Sequence, residues 1–232
     1  MIGIIGAMES EVTSLLAQLD TPLTQTVGGV TFVSGRLAGR EVVIARAGIG
    51  KVNAAICAHT MCLHYHPTCI VNTGVAGAIG EGLGVGDAVV SLSLAQHDMD
   101  TSPLGDPVGL LNLGGENRVW IPADKKIAEA LCASAKALGV NVRMGKIVSG
   151  DLFIASPAQK ERLRTLFDPD ACEMEGAAIA HACYLAGVPF CVLRLLSDAA
   201  DGSAHTDYPT FVRRAARESA DIVRHFVAHF AE

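Results

Sequence analysis

The sequence predicts an α/β fold of three layers, α/β/α, with a central mixed sheet. Two observations carry this expectation. Short apolar runs that stop at a glycine or a small polar residue, such as IGIIG, CIVNTG and FCVLRLLS, read as buried strands. Between them lie longer stretches with helical spacing, and regular alternation of the two types favours helices packed on both faces of one sheet. The length of 232 residues and the 50% hydrophobic content suit one domain over residues 1–232, able to bury a core without metal or disulfide staples.

Residues 2–6, IGIIG, are expected as a buried strand, followed by a helix from Met8 to Leu19. Residues 26–35 and 41–46 read as strands joined near Ala38-Gly39. A helix over 51–64, strands over 69–74 and 87–95, and an Ala-rich helix over 124–138 continue the alternation. A strand over 144–149, helices over 158–166 and 175–186, a strand over 190–197 and a helix over 209–229 complete it. The exception is the irregular stretch from Asp98 to Pro122, and long connections of this kind commonly serve as active-site lids or subunit contacts.

Eighteen basic and 24 acidic residues leave a net charge of −6, dispersed along the chain. No basic tract suits a nucleic acid or an anionic membrane surface, and no apolar stretch reads as a membrane span. Seven cysteines, an odd number with no CxxC, lie mostly in apolar surroundings and read as buried free thiols. The start MIGIIGAMESEV lacks the basic flank and apolar run of a signal peptide. A cytoplasmic protein is the expectation.

Three acids sit where acids are costly. Glu11 shares a helical stripe with Met8, Val12, Leu15, Leu16 and Leu19, so it points inward in the first turn of its helix. Two readings stand: a cap that stabilises the helix, or a buried carboxylate whose raised pKa suits a general base. Glu175 repeats the pattern, sharing a face with Ala178, Ile179, Ala182, Cys183 and Ala186, and reads better as a ligand group than as a structural one. Glu173, across Met174, either caps or meets a basic partner. Asp198 follows the strand 190–197, where α/β sheets open their ligand crevice, and Arg194 lies within that apolar strand and therefore needs a partner.

Other motifs speak less clearly. GIGKVNAA and NTGVAGAIGEGLGVGD permit tight turns, but neither is a Walker loop, and GIIGAM lacks a complete dinucleotide fingerprint. HDMD offers His97, Asp98 and Asp100 without a full metal-ligand set, HExxH is absent, and SGD is no nucleophile elbow. No metal or organic cofactor is expected. Phe153, Ile154 and Tyr208 suit either a base pocket or ordinary packing.

Taken in order, GIIGAMESEV, GIGKVNAA, NTGVAGAIG, SGDLFI, EMEGAAIAHAC and RLLSDAAD resemble the bacterial methylthioadenosine/S-adenosylhomocysteine nucleosidases across nearly the whole chain. The resemblance implies a nucleoside phosphorylase-like fold, a homodimer, and hydrolysis of the bond between adenine and a 5′-thio-substituted ribose, with water as reactant. It implies that Glu11 activates the water, that Glu175 holds the ribose hydroxyls, and that Asp198 assists departure of the base through nitrogen 7. Arg194 matches the family's arginine beside the acids, and Glu173 the supporting acid network. Met8 and Met174 match residues bordering the ribose, Phe153 the aromatic stacked on adenine, Ile154 a backbone contact to the base, and Ile49 and Tyr208 the alkylthio surroundings. Val75 stands where many relatives have Ser, which removes a hydroxyl on the water side, and the HDMDTSPLGDPVG stretch also departs from the family pattern.

Adenine leaves poorly as an anion, so a proton or strong hydrogen bond at nitrogen 7 is needed while oxocarbenium-like charge develops on the sugar. Three rivals accompany this reading: a purine nucleoside phosphorylase, an aminodeoxyfutalosine nucleosidase, and a non-catalytic adenine-nucleoside binding protein. The first is disfavoured because CIVNTGVAG carries no cation for phosphate and an acidic Glu11 would repel it.

Overall fold

A computed structural model describes residues 1–198, 200 and 208–231, with the side chains of 208–211 excepted. The strands are β1 (Ile2–Gly6), β2 (Asp20–Val27), β3 (Val30–Leu37), β4 (Arg40–Arg46), β5 (Cys69–Ala78), β6 (Ala88–Gln96), β7 (Leu111–Leu113), β8 (Glu116–Arg118), β9 (Ile121–Pro122), β10 (Val142–Ser149), β11 (Ala171–Glu173) and β12 (Phe190–Asp198). The helices are α1 (Glu9–Leu16), α2 (Lys51–Tyr65), α3 (Lys125–Ala137), α4 (Pro157–Phe167), α5 (Gly176–Ala186) and α6 (Tyr208–His229).

The main sheet runs β11-β10-β6-β12-β5-β1-β4-β3-β2, with β9 added beside β6. It is mixed. The strands β4-β1-β5-β12 are mutually parallel, as are β6-β10-β11, while β12 and β6 meet antiparallel. A short antiparallel pairing of β11 with β5 draws the two parallel sets together at one end. One apolar cluster joins α2 and α5 to the sheet, and a second joins α1, α3 and α6 to it, giving the three layers. The strands at the centre read as continuous apolar runs because both their faces are covered.

Several expected boundaries move. The strand expected over 26–35 is two strands, because Gly28 and Gly29, both at positive φ, turn the chain between β2 and β3. Most of β2 was not expected: DTPLTQTV is an edge strand, exposed almost throughout, so it carries no apolar alternation. The first helix stops at Leu16 instead of Leu19. His64 lies in the last turn of α2, and His66 is the left-handed cap of that helix. The irregular 98–122 stretch folds into a 3₁₀ turn at Ser102–Leu104, the β7-β8 hairpin and β9.

Candidate active site

A cleft opens at the C-terminal ends of the parallel strands. Each strand end delivers a wall: Ala7, Met8 and Glu11 follow β1, Ile49 follows β4, Val75 to Gly77 belong to β5, and Leu152 to Ile154 follow β10. Cys172 to Glu175 come from β11 and its exit, and Ser197 and Asp198 end β12. Crevices of open α/β sheets form at these ends because the chain leaves the sheet there and exposes backbone groups.

Glu11 is buried and caps the start of its helix. Its Oε2 accepts the N–H groups of Ala7 at 2.7 Å and Met8 at 2.9 Å, capping the start of α1. Its Oε1 reaches across the cleft floor to the N–H of Val75 at 3.2 Å. This last contact uses backbone, so it does not need the hydroxyl that Val75 lacks. Burial raises the Glu11 pKa, and the opposing Arg194 charge and three backbone amides do not cancel that effect. Gly74 makes the approach possible: a Cβ there would stand 2.6 Å from Glu11 Oε1.

Glu175 precedes α5 and accepts the N–H of Gly50 at 2.8 Å. Burial, then the negative charge of Glu173, raise its pKa to about 7, against the pull of Arg194 and the Gly50 amide. Glu173 borders the same cleft but spends its carboxylate on structure. It pairs with Arg194, accepts the Ser149 hydroxyl, and caps α5 through the amides of Glu175 at 3.1 Å and Gly176 at 2.8 Å. Arg194 is 1% exposed and does not line the cleft. It lies beneath it, with Nη2 donating to Asn72 Oδ1 at 2.6 Å, and its charge acts on Glu173, Glu11 and Glu175 from below.

Asp198 is the last residue of β12, one beyond the expected strand end. Its Oδ1 accepts the Ala200 N–H at 2.8 Å and its Oδ2 the Ser197 hydroxyl at 3.0 Å. The half-exposed Phe153 and the buried Ile154 stand in the wall contributed by the 150–154 segment. Met8, Ile49, Val75 and Met174 line the same cleft. Tyr208 opens α6, but its side chain lies outside the described residues. Sequence reasoning missed Ser149, Asn72 and the Gly50 amide. Asn72 alone left a trace, as a polar residue inside the apolar CIVNTG run. Ser149 and Gly50 gain their roles from segments far away in the chain.

The phosphorylase superfamily profile matches residues 1–228. A 5′-methylthioadenosine/S-adenosylhomocysteine nucleosidase of Shewanella halifaxensis is 40% identical over 223 residues, covering 96% of each chain. The chain belongs to the methylthioadenosine/S-adenosylhomocysteine nucleosidase family. Among solved nucleosidases, the Neisseria meningitidis enzyme in complex with methylthio-immucillin-A aligns with a TM-score of 0.92 at 35% identity, covering 98% of both chains. The futalosine hydrolase of Helicobacter pylori aligns with a TM-score of 0.91 at 33% identity, covering 97% of this chain and 96% of its own. The nucleosidase fold here is therefore the mixed α/β sandwich of the superfamily.

Proposed function

We propose that the protein hydrolyses the N-glycosidic bond of 5′-methylthioadenosine and S-adenosylhomocysteine, releasing adenine and the 5′-thio-substituted ribose. The observation that carries this reading is the convergence of Glu11, Glu175 and Asp198 on one cleft in different environments. Asp198 is assigned the hydrogen bond or proton at purine nitrogen 7, with Phe153 stacked on the base and the Ile154 backbone at its edge. Glu175 is assigned the ribose hydroxyls and the positive charge developing on the sugar. Glu11 is assigned the attacking water, for which a carboxylate of raised pKa is a competent base. Arg194 and Glu173 hold the floor, while Met8, Met174, Ile49, Val75 and Tyr208 are assigned to the ribose and its alkylthio substituent.

Hydrolysis fits better than phosphorolysis. The described lining of the cleft contains no Lys or Arg, and the buried Arg194 is committed to Glu173 and Asn72. Phosphate would therefore meet the Glu11 carboxylate without a cation to hold it. Adenine release from methylthioadenosine should proceed in phosphate-free buffer, with free methylthioribose as co-product by mass spectrometry. Dominant ribosyl phosphate in phosphate buffer would reverse the assignment. The same assay run on adenosylhomocysteine, adenosine and aminodeoxyfutalosine ranks the substrates.

The reading extends to a single-domain cytoplasmic homodimer that disposes of thio-nucleosides in methionine salvage. Seven buried free cysteines support a reducing compartment. Val52, Ile56 and Leu63 are exposed on α2, beside Leu185 at the end of α5, and support association through that face. Among the described residues, no helix is long and apolar enough to cross a membrane. Light scattering at micromolar concentration tests the dimer, and a monomer mass would refute it.

A further inference from the structure

The HDMD motif and the SGD segment meet the start of α2 in contacts that the reaction described above does not use. Asp98 receives two donors, Lys51 Nζ on Oδ1 at 2.6 Å and the Asp151 N–H on Oδ2 at 2.9 Å. Asp151 in turn accepts the Lys51 N–H on its Oδ1 at 2.7 Å. The side chains of Lys51 and Asp98 are each only 18% exposed, so water competes weakly for their pairing. Burial opposes the charge on Asp98, but the Lys51 ammonium and the Asp151 amide outweigh it and hold its pKa below the ordinary value.

These contacts sit between two working parts of the cleft. Gly50, immediately before Lys51, donates its N–H to Glu175. Leu152, Phe153 and Ile154, immediately after Asp151, form a wall. Packing leaves no slack between the segments. A Cβ at Gly150 would stand 2.4 Å from the His97 ring, and one at Gly50 would stand 3.1 Å from Asp151 Oδ1. Helix α2 has no side-chain cap from its own Ncap residue, Gly50, so Asp151 supplies the acceptor for its first turn.

We propose that Asp98, Lys51 and Asp151 form a clamp that holds the Gly50 N–H on the Glu175 carboxylate and so favours its ionised form. All three are positioning residues, because none borders the cleft. The inference rests on the role assigned to Glu175. The charged groups facing Glu175 are Glu173 from β11, Arg194 from β12 and Glu11 from α1. Two of these disfavour its ionisation. The Gly50 amide of α2 favours it, and a hydrogen bond to the charged form lowers a carboxylate pKa. Loss of the clamp lets that amide drift and moves the Glu175 titration upward from about 7.

The test measures kcat/KM against pH for wild type, Asp98→Ala, Asp151→Ala and Asp151→Asn. In both alanine variants the acid limb should move up by about one pH unit, with about a tenfold loss of kcat/KM on that limb. Asp151→Asn keeps an oxygen acceptor for the Lys51 N–H and should restore the wild-type limb. Carbon NMR of glutamate carboxyls, with the Glu175 signal identified by its loss in Glu175→Gln, reads the same shift without turnover. An inactive wild type would count against the proposed reaction, while an upward Glu175 titration in the variants would still uphold the clamp. Unchanged limbs and titrations accompanied only by lower thermal stability, or equal behaviour of Asp151→Asn and Asp151→Ala, would overturn it. Asp151 is exposed, so its alanine variant keeps the test open if Asp98→Ala fails to fold.

Discussion

Asp198 ends β12 and Glu175 precedes α5, and each carries hydrogen bonds that would prepare it for its proposed role. Asp198 already accepts one amide and one hydroxyl, which fix its carboxyl plane. Asp198→Asn should therefore leave affinity for an adenine analogue nearly intact while slowing single-turnover cleavage by about 10²–10⁴-fold, the usual weight of positioned proton transfer. Equal single-turnover rates would remove Asp198 from the leaving-group role. Glu175 also couples function to stability. Its folded-state pKa of about 7 lies above the ordinary 4.5, so between these values the folded protein binds more protons than the unfolded chain. Its contribution to stability thus falls as pH rises through that window, and the cost of burying its charge is complete above it. Glu175→Gln should raise the Tm relative to wild type at pH 8, show less gain at pH 5, and lose activity at both. Thermal melts at the two pH values check the sign.

The elements around the site depend on one buried ion pair. Glu173, at the end of β11, joins β10, α5 and β12 by binding Ser149, the first amides of α5, and Arg194. Removing one partner leaves a buried charge unpaired, and Arg194→Met should destabilise by about 3–5 kcal/mol, measured by urea unfolding. Apolar replacement of both Arg194 and Glu173 should recover part of that loss but no activity. Gly74→Ala is expected to be as damaging to catalysis, because its Cβ would collide with the Glu11 carboxylate. Steady-state assays beside a circular dichroism spectrum separate this from unfolding. Element type was readable wherever burial was two-sided or the helical stripe was clean, as in IGIIG, FCVLRLLS and the Ala-rich helix α3. It was hidden in β2, whose exposure and Pro22 erase the alternation, and in β11, whose three residues are too short to show any period.

At the scale of the whole molecule, all seven cysteines are buried, and burial pushes Cys57, Cys172 and Cys191 up to about 12. Native protein should show no fast-reacting thiol at Cys57, Cys172 or Cys191 with a disulfide reagent, and all seven cysteines should react after denaturation. A rapid native equivalent would mark an opening of the α2–α5 layer, where Cys57, Cys62 and Cys183 sit. The clamp of Asp98, Lys51 and Asp151 belongs to this scale too, because its members are separated by 47 and 100 residues from Lys51.

The sequence by itself determined the alternation of strands and helices, the free thiols, and the acids placed in apolar stripes, because periodicity and the cost of burying charge are local properties. Its ordered motifs also sufficed to indicate the family. Only the tertiary structure decided that Glu11, Glu175 and Asp198 share one cleft, that Arg194 is buried beneath it, and that the Gly50 amide reaches Glu175 while Lys51 reaches Asp98. Those facts depend on strand order and on how far each strand runs before it turns, and both are settled by contacts between segments remote in the chain.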